Sequence, residues 1–228
     1  MTEGVSERRI DQTPIAIVDF ETTGVSPNFD RIIEIGVVRC DPGRRPRVVL
    51  DTLVNPQRPV AGTQIHGITD ADVAGAPPFD EVAGDLIDAV SGCVVSAYNV
   101  YFDIKFLTSE LGAVDVRGAP PHFCLMYMRP MLGLGKRCRL EDACKLHGIS
   151  NPRAHVAAED ALVSAKLLEL YLEVLDRREI RTYADLASLK NYKFMRSFRS
   201  PPLSPPAEYG LSSGADLVSR SAPPGIRR

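Results

Sequence analysis

Two carboxylates stand at the end of an apolar run near the start of the chain. Asp19 lies near the end of the segment 15–20, whose hydrophobic pattern predicts a β-strand, and Glu21 follows it directly. Because side chains at positions i and i+2 project from the same face of a strand, the two carboxylates can converge on one cation. An acid pair of this kind is also common as a solvated feature of a sheet edge, so the pair alone does not predict a metal site.

Two further acids strengthen the metal hypothesis. Asp103 lies at the start of a predicted helix, and Asp160 lies inside the most regular predicted helix, five residues after His155. Four carboxylates from three distant segments would repel one another unless divalent cations neutralised them. Carboxylates without a shell of cysteines or several histidines favour Mg²⁺ or Mn²⁺. Glu159 projects about 100° away from Asp160 and is excluded from the site, and Glu34 is interpreted as structural.

The elements that must position these residues are predicted from hydrophobic periodicity. Runs rich in β-branched residues predict three strands in meander order, at 15–20, 31–40 and 47–54. Apolar residues at helical spacing predict helices at 78–90, 101–111, 139–147 and 157–176, with a short strand at 93–97 and a strand followed by a helix at 122–132. This succession indicates an α/β protein with a mixed β-sheet flanked by α-helices.

Composition excludes several classes of protein. No segment approaches the roughly 20 apolar residues of a membrane span, and residues 1–12 lack an apolar signal core. Five cysteines without a C-x-x-C pair are typical of buried thiols in a reducing compartment, so we expect a cytoplasmic protein with no membrane partner. Cys138, Cys144 and His147 could hold zinc, but helix-core packing is the simpler interpretation of their spacing.

The near-neutral net charge of −2 hides a strong asymmetry. Residues 1–176 carry 17 Lys and Arg against 25 Asp and Glu, a balance of −8, whereas residues 177–228 carry 10 against 4, a balance of +6. An acidic body joined to a basic end indicates that a polyanion or a metal is involved in the function.

Three motifs now point to a family. The segments DFETTG at 19–24, NVYFD at 99–103 and HVAAED at 155–160 resemble, in order and separation, the motifs of the DEDD superfamily of 3′-5′ exonucleases. The histidine places the resemblance in the histidine subtype (DEDDh), most closely the proofreading epsilon subunits of bacterial DNA polymerase III. The segment QIHGIT at 64–69 resembles a loop of the same family, and the similarity covers about residues 14–176.

The resemblance implies a ribonuclease-H-like fold and a site for two metal ions. Asp19, Glu21, Asp103 and Asp160 would hold two Mg²⁺ or Mn²⁺ ions, and His155 would act as general base. The expected activity is removal of nucleoside 5′-monophosphates from the 3′ end of DNA, with single-stranded 3′ ends as the expected substrate.

Four residues are candidates for contacts with the terminal nucleotide. The resemblance places His66 and Phe102 in the nucleotide pocket, where Phe102 could stack on a base, although core packing explains it nearly as well. Thr22 and Thr23 could contact the terminal sugar, and turn formation is the alternative.

The chain divides into four predicted parts: a flexible N-terminus at 1–13, the exonuclease domain at 14–178, a basic segment at 179–199 and a disordered Pro/Ser-rich tail at 200–228. The basic segment, whose charges alternate with aromatic residues, could be a single-strand track, a solvated linker or a docking segment for a DNA polymerase. No glutamine begins a sliding-clamp motif there, which favours a stand-alone or repair enzyme over a replicative subunit.

Two alternatives remain open at this point. The same chemistry could act on RNA, as in relatives of oligoribonuclease or RNase T, because the choice of sugar depends on pocket shape. A non-catalytic nucleic-acid-binding subunit associated with a polymerase would be expected to lack at least one metal ligand, and none of the four is missing.

Overall fold

The fold is built on one mixed β-sheet. A computed structural model describes residues 4–190 and 192–203. Five strands form the sheet in the order β3-β2-β1-β4-β5: β1 Ile15–Thr22, β2 Ile32–Cys40, β3 Arg47–Leu53, β4 Val94–Ala97 and β5 His122–Cys124. The pairs β1–β2 and β2–β3 are antiparallel, whereas β1–β4 and β4–β5 are parallel. The predicted meander of three strands within a mixed α/β sheet is therefore confirmed.

Helices flank this sheet. In the described residues the α-helices are α1 Thr63–His66, α2 Asp70–Val73, α3 Phe79–Val90, α4 Val100–Ala113, α5 Leu125–Met131, α6 Leu140–Leu146, α7 Ala157–Arg177 and α8 Tyr183–Leu189. Short 3₁₀ helices span Ile10–Gln12 and Lys193–Arg199. Of the helices in the described part of the chain, none has both the length and the apolar character needed to cross a bilayer.

The central position of β1 explains its unbroken apolar run. The strand pairs with β2 on one side and with β4 on the other, and residues 15–18 are all buried. A strand covered on both faces reads as continuously hydrophobic instead of alternating. Asp19 and Glu21 lie where this apolar run gives way to the more accessible end of the strand.

Helix α7 lies unusually close to the sheet at its first turn. A Cβ atom added at Gly36 of β2 would lie 2.3 Å from the Ala157 carbonyl carbon. Only glycine permits this approach of backbone to backbone. The contact brings the N-terminal end of α7, with Asp160, towards the end of β1.

The N-terminal residues that are described pack against the C-terminal part of the chain. Val5 has no exposed surface, and its amide donates to the Phe198 carbonyl at 2.8 Å. The Ile10 amide donates to the Arg181 carbonyl at 2.8 Å. The sequence placed residues 1–13 in a flexible terminus, but residues 5–12 instead form part of the folded unit. The contacts responsible join segments about 170 to 190 residues apart, which no local pattern reveals.

The basic segment is also folded in its described part. Tyr183, Phe194 and Phe198 are almost fully buried, since their exposed fractions are 0%, 2% and 1%. A solvated linker over 179–199 is therefore wrong for these residues, because its aromatic side chains belong to the core. Of the tail predicted from residue 200, residues 204–228 lie outside the described part of the chain.

Candidate active site

The predicted metal ligands come from three elements that meet at the end of β1. Asp19 and Glu21 lie on β1, Asp103 lies in the first turn of α4, and Asp160 lies in the first turn of α7. The exposed fractions of Asp103 and Asp160 are only 4% and 8%. Carboxylates at such depth need hydrogen bonds, opposite charge or a cation to remain ionised.

Glu21, His155 and Asp160 form the tightest part of the cluster. Each offers one ligand atom, and these three atoms all lie within 4.8 Å of one another. The His155 Nδ1 lies 4.0 Å from the Glu21 Oε1. Within the described residues this is the grouping whose spacing suits a shared metal ion. Oxygen-rich ligands of this kind match the preference of Mg²⁺ and Mn²⁺.

Electrostatic strain in the cluster shows in the pKa values of its acids. Burial and the neighbouring charges of Asp103, Asp160, Glu21 and Glu34 raise the pKa of Asp19 well above its ordinary range. Burial raises the pKa of Asp103 to about 8, against hydrogen bonds from backbone amides that lower it. Burial and the charges of Glu34 and Asp160 raise the pKa of Glu21 to about 7. A divalent cation would relieve this repulsion, so the donor set fits the predicted metal.

The structure adds a fifth carboxylate to the predicted four. Glu34 of β2 lies directly opposite Glu21 in the antiparallel register. Its Oε2 accepts a hydrogen bond of 3.0 Å from the Ala157 amide, at the first residue of α7. This contact agrees with the interpretation of Glu34 as a structural residue. The sequence did not reveal that Glu34 also adds a negative charge to the cluster. Strand pairing, which decides what lies opposite Glu21, is not written in the local sequence.

Asp160 also holds the histidine in place. Its Oδ2 accepts from the His155 backbone amide at 3.0 Å, and its Oδ1 accepts from the Asn151 Nδ2 at 2.6 Å. His155 has a φ of +63°, a left-handed conformation that is costly for a residue with a Cβ. The bond to Asp160 helps fix this conformation and leaves the imidazole 57% exposed in the cleft. Sequence reasoning missed Asn151, because nothing in the local pattern links it to Asp160.

Glu159 has a separate partner. It pairs with Arg153. The structure thus gives Glu159 a role outside the predicted ligand set, in keeping with its exclusion from the site.

Thr22 and Thr23 use their hydroxyl groups within the loop after β1. The Thr22 Oγ1 donates to the Gly24 carbonyl at 2.5 Å. The Thr23 Oγ1 donates to Asp30 at 3.3 Å and accepts from the Arg31 amide at 3.1 Å. These bonds favour turn formation as the role of the hydroxyls, and contact with a terminal sugar stays a prediction for both residues.

His66 is likewise engaged in its own loop. Its Nδ1 accepts from the Ile68 amide at 3.1 Å, so its Nε2 is the nitrogen that donates to the Ala61 carbonyl, at 3.0 Å. The partly exposed ring also lines a cavity of about 300 Å³ that His155 shares. His66 therefore lies close to His155, and its contact with the terminal nucleotide stays a prediction.

Phe102 packs at the edge of the core. Its ring is partly buried, and its centroid lies 4.9 Å from that of Phe106. Core packing, the alternative role considered for Phe102 from the sequence, accounts for its position. Contact with a base stays a prediction.

Within the described residues, Cys138, Cys144 and His147 are not grouped as a metal site would require. The His147 Nε2 lies 3.2 Å from the Arg129 Nη1, whose positive charge opposes a metal ion there. Cys144 is buried, as the helix-core interpretation of its spacing expects.

A large cleft adjoins the cluster. It has a volume of about 1160 Å³, and Asn151, His155 and Asp160 form part of its lining. The cleft could admit a polymeric substrate to the carboxylates.

The sequence matches one family model and several curated relatives. The RNase T family model, described as exonuclease, matches residues 16–168. A DNA polymerase III subunit epsilon-like protein of Rhodobacter capsulatus is 33% identical over 186 residues, covering 78% of this chain and 26% of the relative. The 3′-5′ exonuclease DinG of Staphylococcus aureus is 27% identical over 205 residues, covering 82% of this chain and 22% of the relative. The chain thus spans about a quarter of the length of these curated relatives.

Solved structures agree on the fold. Exonuclease X in complex with 5′ overhanging duplex DNA superposes with a TM-score of 0.56 and 25% identity, covering 72% of this chain and 93% of that chain. Exonuclease I of E. coli in complex with a dT13 oligonucleotide superposes with a TM-score of 0.60 and 20% identity, covering 78% and 46%. The predicted ribonuclease-H-like fold is confirmed. Because the family model matches about two thirds of the sequence, the chain belongs to the exonuclease family.

Proposed function

We propose that this chain is a metal-dependent 3′-5′ exonuclease that removes nucleoside 5′-monophosphates from the 3′ end of single-stranded DNA, in proofreading or repair. The observation that carries this proposal is the grouping of Glu21, His155 and Asp160 beside one open cleft, with Asp19 and Asp103 close enough to interact electrostatically with the cluster. The name of the relative DinG, a 3′-5′ exonuclease, supports the 3′-5′ direction. The duplex DNA in the Exonuclease X structure supports DNA as the substrate class.

Asp19, Glu21, Asp103 and Asp160 would hold two Mg²⁺ or Mn²⁺ ions. The raised pKa values of the first three acids support this role, since burial and then mutual repulsion disfavour their charged forms without a cation. When bound, the ions would supply positive charge that polarises the scissile phosphate and offsets charge developing on the attacking and leaving oxygens.

His155 would serve as the general base. Its exposed imidazole would accept a proton from the attacking water as the water oxygen bonds to phosphorus. The bond from phosphorus to the 3′-oxygen of the preceding nucleotide breaks, and this oxygen takes a proton from solvent water. The products are a new 3′-hydroxyl end and a nucleoside 5′-monophosphate. Asp160 would position the base through its bond to the His155 amide.

Hydrolysis of 5′-labelled single-stranded DNA with Mg²⁺ or Mn²⁺ tests the proposal. We expect a ladder that shortens from the 3′ end, released 5′-monophosphates, and loss of both in Asp19→Asn and Asp160→Asn. His155→Gln should lower kcat by roughly 100-fold or more. Asp176→Asn is the matched control, because it makes the same change on α7 about 24 Å from Asp160.

Two results would contradict the proposal. One is an unchanged ladder for the wild-type protein with either ion, which would favour a non-catalytic binding subunit. The other is full activity in Asp19→Asn. Competition between matched DNA and RNA oligomers tests the choice of sugar, and faster hydrolysis of the RNA would replace our proposal with an exoribonuclease.

Association with a DNA polymerase is a further proposal, supported by the name of the Rhodobacter relative. A cytoplasmic location is proposed from the DNA substrate and from five free cysteines, which suit a reducing compartment. Co-purification with the polymerases of the host cell and fractionation of that cell would test the two proposals.

A further inference from the structure

The catalytic cleft is larger than the proposed reaction centre requires. Its volume of about 1160 Å³ exceeds the roughly 300–1,000 Å³ typical of a pocket for one small ligand. Besides the catalytic candidates, its lining includes Tyr127, Arg137, Lys190 and Tyr192, which we call the basic-aromatic wall. The mechanism above uses none of these four residues.

Two tyrosines give the wall its aromatic surface. The rings of Tyr127 and Tyr192 meet edge to face, with centroids 4.8 Å apart. Tyr101 supports Tyr127 at 5.4 Å, and the buried Phe194 stacks with Tyr192 at 5.7 Å. Both tyrosines remain partly accessible. The wall thus presents aromatic surface that is braced from the core, which suits stacking against nucleobases.

Two cations lie on these rings. The Arg137 guanidinium carbon lies 4.6 Å from the Tyr127 centroid, and its Nη1 donates to the Tyr127 hydroxyl at 2.7 Å. The Lys190 Nζ lies 5.4 Å from the Tyr192 centroid. Neither cation forms an ion pair within the described part of the chain. Both charges are therefore available to an anionic ligand.

The charge balance of the whole cleft lining points the same way. Its cations outnumber its acids by four to two: Lys136, Arg137, Arg139 and Lys190 against Glu141 and Asp160. This excess of positive charge lies next to carboxylates that would themselves be neutralised by metal ions. The cleft as a whole would then attract a phosphodiester chain.

The loop that carries Arg137 is fixed to the core. Arg129 is buried, and its Nε donates to the Lys136 carbonyl at 3.1 Å. The Tyr98 hydroxyl lies 2.9 Å from the Cys138 carbonyl, which can accept its hydrogen. Burying an arginine guanidinium has a desolvation cost. Its use to hold a backbone carbonyl therefore indicates that the position of this loop matters. Arg137 is therefore presented by a preorganised segment.

We propose that the basic-aromatic wall binds the single-stranded segment that precedes the 3′-terminal nucleotide. Arg137 and Lys190 turn from the rings to its phosphates, which uncovers Tyr127 and Tyr192 for stacking on its bases. This inference rests on the proposed exonuclease function and extends it to the internal nucleotides of the substrate. Lys190 and Tyr192 lie beyond the residues matched by the family model, so this subsite draws on a part of the chain outside the shared motifs.

Binding of fluorescein-labelled dT12 with Ca²⁺ in place of Mg²⁺, followed by anisotropy, tests the wall without hydrolysis. We expect Tyr192→Ala to weaken binding about tenfold, the scale of one lost stacking contact. Tyr192→Phe keeps the ring and should restore binding. The double variant Arg137→Gln/Lys190→Gln should reduce the slope of log Kd against log salt by about 1.4, for two lost phosphate contacts. Arg44→Gln, an exposed cation on the β2–β3 turn, is the matched control.

Hydrolysis separates the wall from the reaction centre. The ratio of kcat/KM for dT12 to that for the nitrophenyl ester of thymidine 5′-monophosphate should fall about tenfold in Tyr192→Ala, because the ester has no internal nucleotide. Melting curves confirm that each variant is folded.

The outcomes distinguish this inference from the proposed function. If dT12 binding is unchanged in folded Tyr192→Ala and in the double variant, the proposed role of the basic-aromatic wall is overturned. This holds even if the wild type is an active exonuclease. Equal losses on dT12 and on the ester would also overturn it, because they would indicate general damage to the site. A wild type that hydrolyses neither substrate overturns the proposed function, and wall-dependent binding of dT12 would still support the subsite.

Discussion

Glu21 offers a test of the electrostatic strain in the metal-free site. Its side chain is only 14% exposed and lies opposite Glu34, and its pKa rises from 4.5 to about 7. Because the folded pKa is above the unfolded one, the stabilising effect is complete below about pH 4.5 and is lost as the pH rises to about 7. At about 1.4 kcal/mol for each pH unit, ionised Glu21 costs the metal-free fold roughly 3 kcal/mol.

Glu21→Gln removes this cost. Without metal, we expect the variant to be more stable than the wild type by roughly 2–3 kcal/mol at pH 8, and by little near pH 4.5. For a protein of this size the difference corresponds to a Tm about 4–12 °C higher at pH 8. Glu173→Gln, the same change on the exposed face of α7, should leave stability unchanged throughout this range.

Thermal and urea unfolding between pH 4.5 and 8.5, with a chelator present, measures the effect. Adding Mg²⁺ or Mn²⁺ should then stabilise the wild type more than the variant, because the ions bind the folded state through Glu21. The reasoning is refuted if the metal-free wild type is the more stable protein at pH 8. A difference between the two proteins that does not change with pH would refute it equally.

Further predictions concern the packing that positions the site. Gly36→Ala should lower both stability and nuclease activity by displacing Ala157, whereas Gly112→Ala, in open space on α4, should stabilise by about 0.5–1 kcal/mol; urea unfolding and the nuclease assay measure both. Normal activity in Gly36→Ala would show that the close approach of α7 is unnecessary. Val5→Ala should lower the free energy of unfolding by about 1.5 kcal/mol, whereas Val25→Ala, at a residue 84% exposed, should not. Equal effects of the two valine changes would mean that the N-terminal packing contributes no stability.

The sequence predicted the elements with strong local patterns. Helix α7 was placed at 157–176 and spans Ala157–Arg177, and the helix expected at 101–111 spans Val100–Ala113. These predictions succeed because hydrophobic periodicity reflects which face of an element is buried. The small errors lie at the ends, where capping residues and tertiary contacts decide the last turn.

The contacts between remote segments could not be predicted. The sequence favoured a flexible N-terminus, yet Val5 bonds to Phe198 in the folded unit. The aromatic residues of the basic segment divide between two roles: Phe194 packs in the core, whereas Tyr192 also lines the cleft. The local composition around these residues is the same, so only their three-dimensional neighbours separate them.

By itself, the sequence determined the chemical identity of the candidate site. It supplied Asp19, Glu21, Asp103, Asp160 and His155 in an order and spacing that resemble one family of nucleases. Side-chain chemistry is a local property, and strand and helix periodicity are nearly so.

Only the tertiary structure decided how these residues meet. Strand register placed Glu34 opposite Glu21, and the missing Cβ of Gly36 allowed the first turn of α7 to reach the sheet. These features depend on distances between segments that are far apart in the chain. Because burial and electrostatic repulsion both depend on those distances, the raised pKa values of the clustered acids appear only when the chain is folded.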